Sequence, residues 1–146
     1  MAVVVDTNVV SSVLGYKCSH PILKRWLFTH PDGKLALRRD LLKEYGGTAV
    51  AAVTELGRNG RVKWADEELC KADDRRIARL DHKSDDPHIL SLIRVCAARL
   101  LCSDDGNLRD DARNRTICNP PVKLYVEVNR QQAQRLLREY GPCGNP

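Results

Sequence analysis

The sequence predicts an α/β fold, a three-layer α/β/α sandwich with a mainly parallel central sheet. Two observations carry that expectation. Short apolar runs of strand length alternate with stretches of helical periodicity, the pattern of βαβ units. Acidic residues also stand directly after two of those runs, where parallel sheets gather their sites.

The elements can be justified in order. Val3-Val4-Val5 is a β-branched run that reads as a buried strand. A helix is expected to begin near Thr7 or Asn8, use Val9, Val10, Val13 and Leu14, and end at Gly15. Another runs from about Pro21 to Phe28, with proline in its first turn. Leu35-Ala36-Leu37 is the second strand. Leu42, Tyr45, Ala49, Val53 and Leu56 then recur at helical spacing between Asp40 and Leu56. Gly46-Gly47 falls inside that stretch, and each glycine costs about 1 kcal/mol relative to alanine in a helix, so a kink or break is expected. A less sharply patterned helix spans Asp66 to Leu80. From His88 to Ala98 the signal is cleaner, because Ile89, Leu92, Ile93 and Cys96 share one helical face. Leu100-Leu101-Cys102 reads as a third strand. Val122 to Val128 alternates imperfectly as a last strand, before a helix carrying Ala133, Leu136, Leu137 and Tyr140. No repeat, low-complexity tract or linker interrupts residues 1–146, so one domain is expected.

Composition narrows the class. The chain has 146 residues, 42% apolar and 29% charged, which suits an ordinary globular core and not a disordered segment. No apolar stretch approaches the ~20 residues needed to cross a bilayer. Met1-Ala2-Val3-Val4-Val5 is too short for a signal peptide and meets Asp6 at once, so a cytoplasmic, non-membrane protein is expected. Cys18, Cys70, Cys96, Cys102, Cys118 and Cys143 form no C-x-x-C pair and no zinc pattern, and are read as reduced thiols. Net charge is +5, from 24 Lys and Arg against 19 Asp and Glu. Basic residues recur at Arg58, Arg61 and Lys63, at Arg75, Arg76 and Arg79, at Arg109, Arg113 and Arg115, and at Arg130, Arg135 and Arg138. Any one cluster is explained by a solvated surface; together they suit a polyanionic partner.

The carboxylates are more telling by position than by number. Asp6 follows the first strand, and Asp104 and Asp105 follow the third by way of Ser103. Asp85 and Asp86 precede a helix, where an acid is commonly just an N-cap. Glu44 lies off its helix's apolar stripe, which leaves it free for a cleft or for solvent. Asp110 and Asp111 read as solvated. Converging carboxylates repel one another and raise their pKa values unless a cation neutralises them. All-oxygen donors without His or Cys favour Mg²⁺ or Mn²⁺ over Zn²⁺, and such sites suit phosphodiester hydrolysis.

These residues resemble a known family. Val3-Val4-Val5-Asp6-Thr7-Asn8-Val9-Val10 is similar to the opening motif of PIN domains, an apolar strand ending in Asp-x-Asn or Asp-Thr-Asn. Asp86-Pro87-His88-Ile89-Leu90 resembles the family's Asp at the start of an apolar helix. Leu101-Cys102-Ser103-Asp104-Asp105-Gly106-Asn107-Leu108 resembles its strand, Ser or Thr, any residue, Asp pattern, a register that selects Asp105 with Asn107 as accessory. Leu41-Leu42-Lys43-Glu44-Tyr45 resembles the helix bearing the family's Glu. The doublets Asp85-Asp86 and Asp104-Asp105 leave the register open by one residue, and residues 56–83 match nothing in the pattern.

The resemblance implies a metal-dependent endoribonuclease using Mg²⁺ or Mn²⁺ in a two-metal mechanism. Asp6, Asp86 and Asp105 would hold the principal ion. Glu44 would hold the second or orient the attacking water, with Thr7, Asn8 and Asn107 in support. The products would carry 3′-hydroxyl and 5′-phosphate ends. RNA is the implied substrate, with single-stranded DNA as an alternative. A homodimer and an antitoxin partner are implied as well, since many small members are toxins of toxin–antitoxin pairs. The rival within the family is an inactive nucleic-acid-binding or scaffolding domain. A receiver-like or haloacid-type phosphatase would need a Lys at a later strand's carboxyl end, whereas Lys123 follows Pro120-Pro121 at a strand's start.

Overall fold

The computed structural model describes residues 2–15 and 18–140. Five parallel strands, β1 (Val3–Val5), β2 (Leu35–Leu37), β3 (Val62–Trp64), β4 (Leu100–Cys102) and β5 (Lys123–Leu124), form one sheet in the order β3-β2-β1-β4-β5. Helices flank it: α1 (Val10–Leu14), α2 (Pro21–Thr29), α3 (Arg39–Leu42), α4 (Gly47–Arg58), α5 (Glu67–Ala78), α6 (Pro87–Cys96), α7 (Gly106–Arg113) and α8 (Arg130–Tyr140). α5, α6 and α7 pack together, while α1 packs on α2 and α4, and α2 on α8. Two helical layers therefore enclose the sheet, giving the expected α/β/α sandwich. Every residue of β1, β2 and β4 is buried, which is why those strands read as unbroken apolar runs.

Chain direction sets the site. From β1 the chain steps outward to β2 and then β3, returns past β1 to β4, and continues to β5. The sheet thus reverses its order between β1 and β4. Beyond the carboxyl ends of such strands the loops diverge and leave a crevice.

Several elements depart from the sequence expectation. The first helix opens with a 3-10 turn over Thr7–Val9. The stretch from Asp40 to Leu56 is two helices, α3 and α4, broken at Gly46, whose backbone is extended. β3 is an additional strand, making Leu100–Cys102 the fourth; as a half-exposed edge of three residues with Lys63 in the middle it has no apolar run to detect. β5 is confined to Lys123 and Leu124, and Lys123 does open it. α7 is a further addition, hidden in the sequence because Arg109, Asp110, Asp111 and Arg113 crowd a helix whose buried apolar residues are Leu108 and Ala112. The five described cysteines are free thiols, while Cys143 lies outside the described residues. No described helix is long and apolar enough to cross a membrane.

Helix α6 closes on Ala97, which sits in the left-handed region at φ 51° while the Ala98 N–H returns to the Ile93 carbonyl at 2.9 Å. That conformation costs an L-residue about 1–2 kcal/mol, and glycine avoids it at some cost in unfolded-chain entropy. Ala97 is exposed, so its methyl contributes little packing. Ala97→Gly is expected to stabilise the fold by about 0.5–1 kcal/mol; equilibrium urea unfolding measures this, and an unchanged or lower midpoint would contradict it.

Candidate acidic site at the sheet edge

Parallel pairing of Val5 with Cys102 places the next residue of each strand, Asp6 and Ser103, side by side. The Asp6 N–H donates to the Cys102 carbonyl at 2.9 Å, extending the ladder by one bond. The Ser103 hydroxyl donates to Asp6 Oδ2 at 2.7 Å and accepts the Asp105 N–H at 3.0 Å. Asp6 and Ser103 are 6% and 3% exposed, so this is a buried carboxylate and not a surface acid. Burial pushes the Asp6 carboxyl above its ordinary value; the Ser103 hydroxyl and the Thr7 backbone oppose that, and the charges of Asp86 and Asp105 add to it.

Both of those neighbours are helix caps. Asp105 accepts the N–H groups of Asn107 and Leu108 at 2.9 and 3.2 Å and so begins α7. Asp86 accepts the His88 N–H at 3.1 Å and begins α6. Each is half-buried, whereas Asp85 and Asp104 are exposed, and Asp104 faces Arg109 at 3.8 Å. The charges of Asp86 and Asp105 both act on Asp6.

Asp111 corrects the sequence reading. It is 2% exposed, not solvated, and accepts the N–H groups of Lys83 (3.0 Å) and Ser84 (2.7 Å). The Ser84 hydroxyl in turn accepts the Asp86 N–H at 3.1 Å. Thus α7 supplies Asp105 at its start and, two turns on, anchors the loop that presents Asp86. Recognising α7 would reveal this from sequence, since Asp111 shares its inward face with Leu108 and Ala112. Asp110 is exposed and pairs with Lys83 and Arg113.

A second support lies beneath α6. Arg38, 4% exposed, makes paired hydrogen bonds to Asp74 at 2.8 and 2.9 Å and to Asp40 at 3.0 and 2.9 Å. It also donates to the His88 carbonyl at 3.2 Å, and His88 Nδ1 lies 3.0 Å from Asp74. Burial works against the Asp74 carboxylate, but Arg38 outweighs it and holds the group below its ordinary range. The first turn of α6, and Asp86 with it, is clamped between β2 and α5.

The remaining candidates differ in exposure. Glu44 is exposed after α3. It adjoins buried Tyr45, whose hydroxyl is pushed up first by burial and then by the charges of Asp6 and Glu44. Asn8 and Asn107 are exposed, and the Thr7 hydroxyl is buried without a hydrogen-bond partner among the described residues. No three His, Cys, Asp or Glu side chains among the described residues are grouped closely enough to hold a bare metal ion. The donor chemistry instead fits a hydrated hard cation, since Mg²⁺ keeps several waters and needs only one or two carboxylates. Asp86 and Asp105 each use one carboxylate oxygen as a cap and keep the other.

No family model, no curated protein and no solved structure matches this chain. The likeness to PIN domains therefore rests on the sequence motifs alone.

Two expectations arise from this geometry. Asp6 has a raised folded pKa, so the native state binds its proton more tightly than the unfolded chain does. Stability is then lost as pH rises from the unfolded value, 3.8, through the folded one. In metal-free buffer Asp6→Asn should melt higher than wild type at pH 7, with the advantage vanishing below pH 3.8; thermal melts across pH test this, and a lower melting temperature at neutral pH would refute it. Asp111→Ala strands the Lys83 and Ser84 N–H groups, a loss of about 1–3 kcal/mol in urea unfolding. A loss under about 0.5 kcal/mol, within the range of an ordinary surface substitution, would mean that this anchor is dispensable.

Proposed function

We propose that this chain is a nuclease that hydrolyses phosphodiester bonds in RNA with the help of Mg²⁺ or Mn²⁺. One observation supports the reading: Asp6 and Asp105 lie just past the carboxyl ends of β1 and β4 and Asp86 caps α6, the charges of Asp86 and Asp105 raise the Asp6 carboxyl, and none of the three is paired with a Lys or Arg among the described residues. Asp6, Asp86 and Asp105 would hold the cation, with Thr7, Asn8 and Asn107 near its waters. When bound, it supplies Lewis-acid activation and neutralises charge on the phosphoryl oxygens.

The chain's own groups do the rest. Ser103 and the Thr7 backbone favour the ionised form of Asp6 against its burial. The α6 and α7 caps fix Asp86 and Asp105 before substrate arrives, so little ordering remains to be done on binding. Glu44, exposed after α3, would orient water for in-line attack on phosphorus. Breaking the P–O3′ bond leaves 3′-hydroxyl and 5′-phosphate ends. A homodimer and an antitoxin partner remain what the PIN resemblance implies.

A second reading, an inactive RNA-binding domain of the same fold, is favoured by the lack of a closely grouped metal cage among the described residues. Labelled single-stranded RNA and DNA incubated with Mg²⁺, Mn²⁺ or EDTA separate the two. Metal-dependent cutting of RNA is expected, and Asp6→Asn or Asp86→Asn should bring it to background while leaving the circular dichroism spectrum intact. Retained activity in either variant overturns the assignment. Absence of cutting in every metal, with RNA still bound, selects the inactive domain.

A further inference from the structure

We infer that the groove between α2 and α8 is the track along which single-stranded RNA reaches the acidic edge; this rests on the nuclease reading above. The groove encloses about 820 Å³, with Arg25 on one wall, Arg130, Gln134 and Arg138 on the other, and Trp26 and Leu137 between them. Trp26 and Leu137 are 7% and 3% exposed and form an apolar floor, while the three arginines and Gln134 are exposed. Arg130, Gln134 and Arg138 recur every fourth residue, so they share one face of α8 over about 12 Å at ~1.5 Å per residue. Among the described residues no carboxylate lines the groove, and Glu127 stands at the start of α2.

The arginines are uncommitted. Among the described residues, no ion pair or side-chain hydrogen bond engages the guanidinium of Arg25, Arg130 or Arg138, whereas neighbouring Arg135 is held by Glu139 at 3.2 Å. A pocket for one small anion would converge its donors on a point. A row of guanidinium groups unpaired among the described residues instead matches the repeating phosphates of a nucleic-acid backbone. The row also leads to the right place. The Ile22 and Leu23 N–H groups at the start of α2 both donate to Glu127 Oε1 at 3.1 Å. Two residues before Glu127, the Tyr125 N–H donates to the Leu101 carbonyl at 2.8 Å. The start of the groove therefore lies on the carboxyl side of the sheet, the side that also carries Asp6 and Asp105.

The test uses the full chain in EDTA and a fluorescein-labelled single-stranded oligoribonucleotide, followed by anisotropy over a range of salt. The triple variant Arg25→Gln, Arg130→Gln, Arg138→Gln is expected to bind at least about tenfold more weakly. Its log–log salt slope should flatten by about two, since each phosphate contact on a single strand contributes about 0.7. The charge-matched control Arg58→Gln, Arg75→Gln, Arg79→Gln, exposed residues on α4 and after or within α5, should change binding less than about twofold. Equal weakening in both triples would reduce the effect to net charge and overturn the proposal, as would failure of the wild type to bind. The nuclease reading is judged apart from this. Metal-dependent cutting with a KM unaffected by the groove triple would sink the groove alone, while groove-dependent binding without cutting in any metal would uphold the groove and sink the nuclease.

Discussion

The parallel pairing of β1 with β4 is the constraint on which the acidic edge depends. Val3, Val4 and Val5 stand opposite Leu100, Leu101 and Cys102, so the ladder brings Asp6 beside Ser103. A slip of one residue would turn the side chains of β1 to the opposite face and separate the two groups. Such a slip would also draw the Asp6 carboxylate into the buried ladder without Ser103 as its partner, which opposes it. Strand pairing thereby sets the spacing of a polar site that contributes nothing to the core itself.

That register produces a site built of caps. Asp105 and Asp86 would each be an unremarkable helix N-cap in isolation. They become a site because Ser103 links the first to Asp6, while Asp111 and Ser84 link the second to the same helix, α7. The three carboxylates accept from backbone N–H groups and a hydroxyl rather than from cationic side chains. Arg38, the guanidinium buried beneath α6, is committed to Asp40 and Asp74. Among the described residues Asp6, Asp86 and Asp105 thus have no cationic partner, the nearby Arg109 being turned to the Ser103 carbonyl and Asp104, and that imbalance motivates the proposal of a divalent cation from solution.

Much of this is legible in the sequence, and the exceptions share a cause. Fully buried strands such as Val3–Val5 and Leu100–Cys102 announce themselves because both faces are apolar. Asp6 and Asp105 can be placed because each follows such a run. β3 and α7 cannot, since edge strands and amphipathic surface helices bury too few residues to leave a periodic trace. Asp111 looks solvated in sequence for the same reason: a buried acid that binds only backbone N–H groups is indistinguishable from a surface one until its helix is known. Glu44 stands out by family pattern alone, and its exposure after α3 is a tertiary fact that no spacing encodes.

The distribution of charge reconciles a basic protein with an acidic site. Positive charge near Asp6 would compete with any metal for the carboxylates and collapse into ion pairs, as Arg38 does with its two partners. Placed instead along α2 and α8, with no acid among the described residues lining the groove between them, arginines remain free to meet phosphate. Separating the two signs also gives direction. A polyanion held along the groove is repelled by the bare acidic edge and admitted once a cation screens it, so substrate and metal would each favour the other's binding. Both regions lie toward the carboxyl side of the sheet, where Glu127 ties the start of α2 to the chain beyond β5.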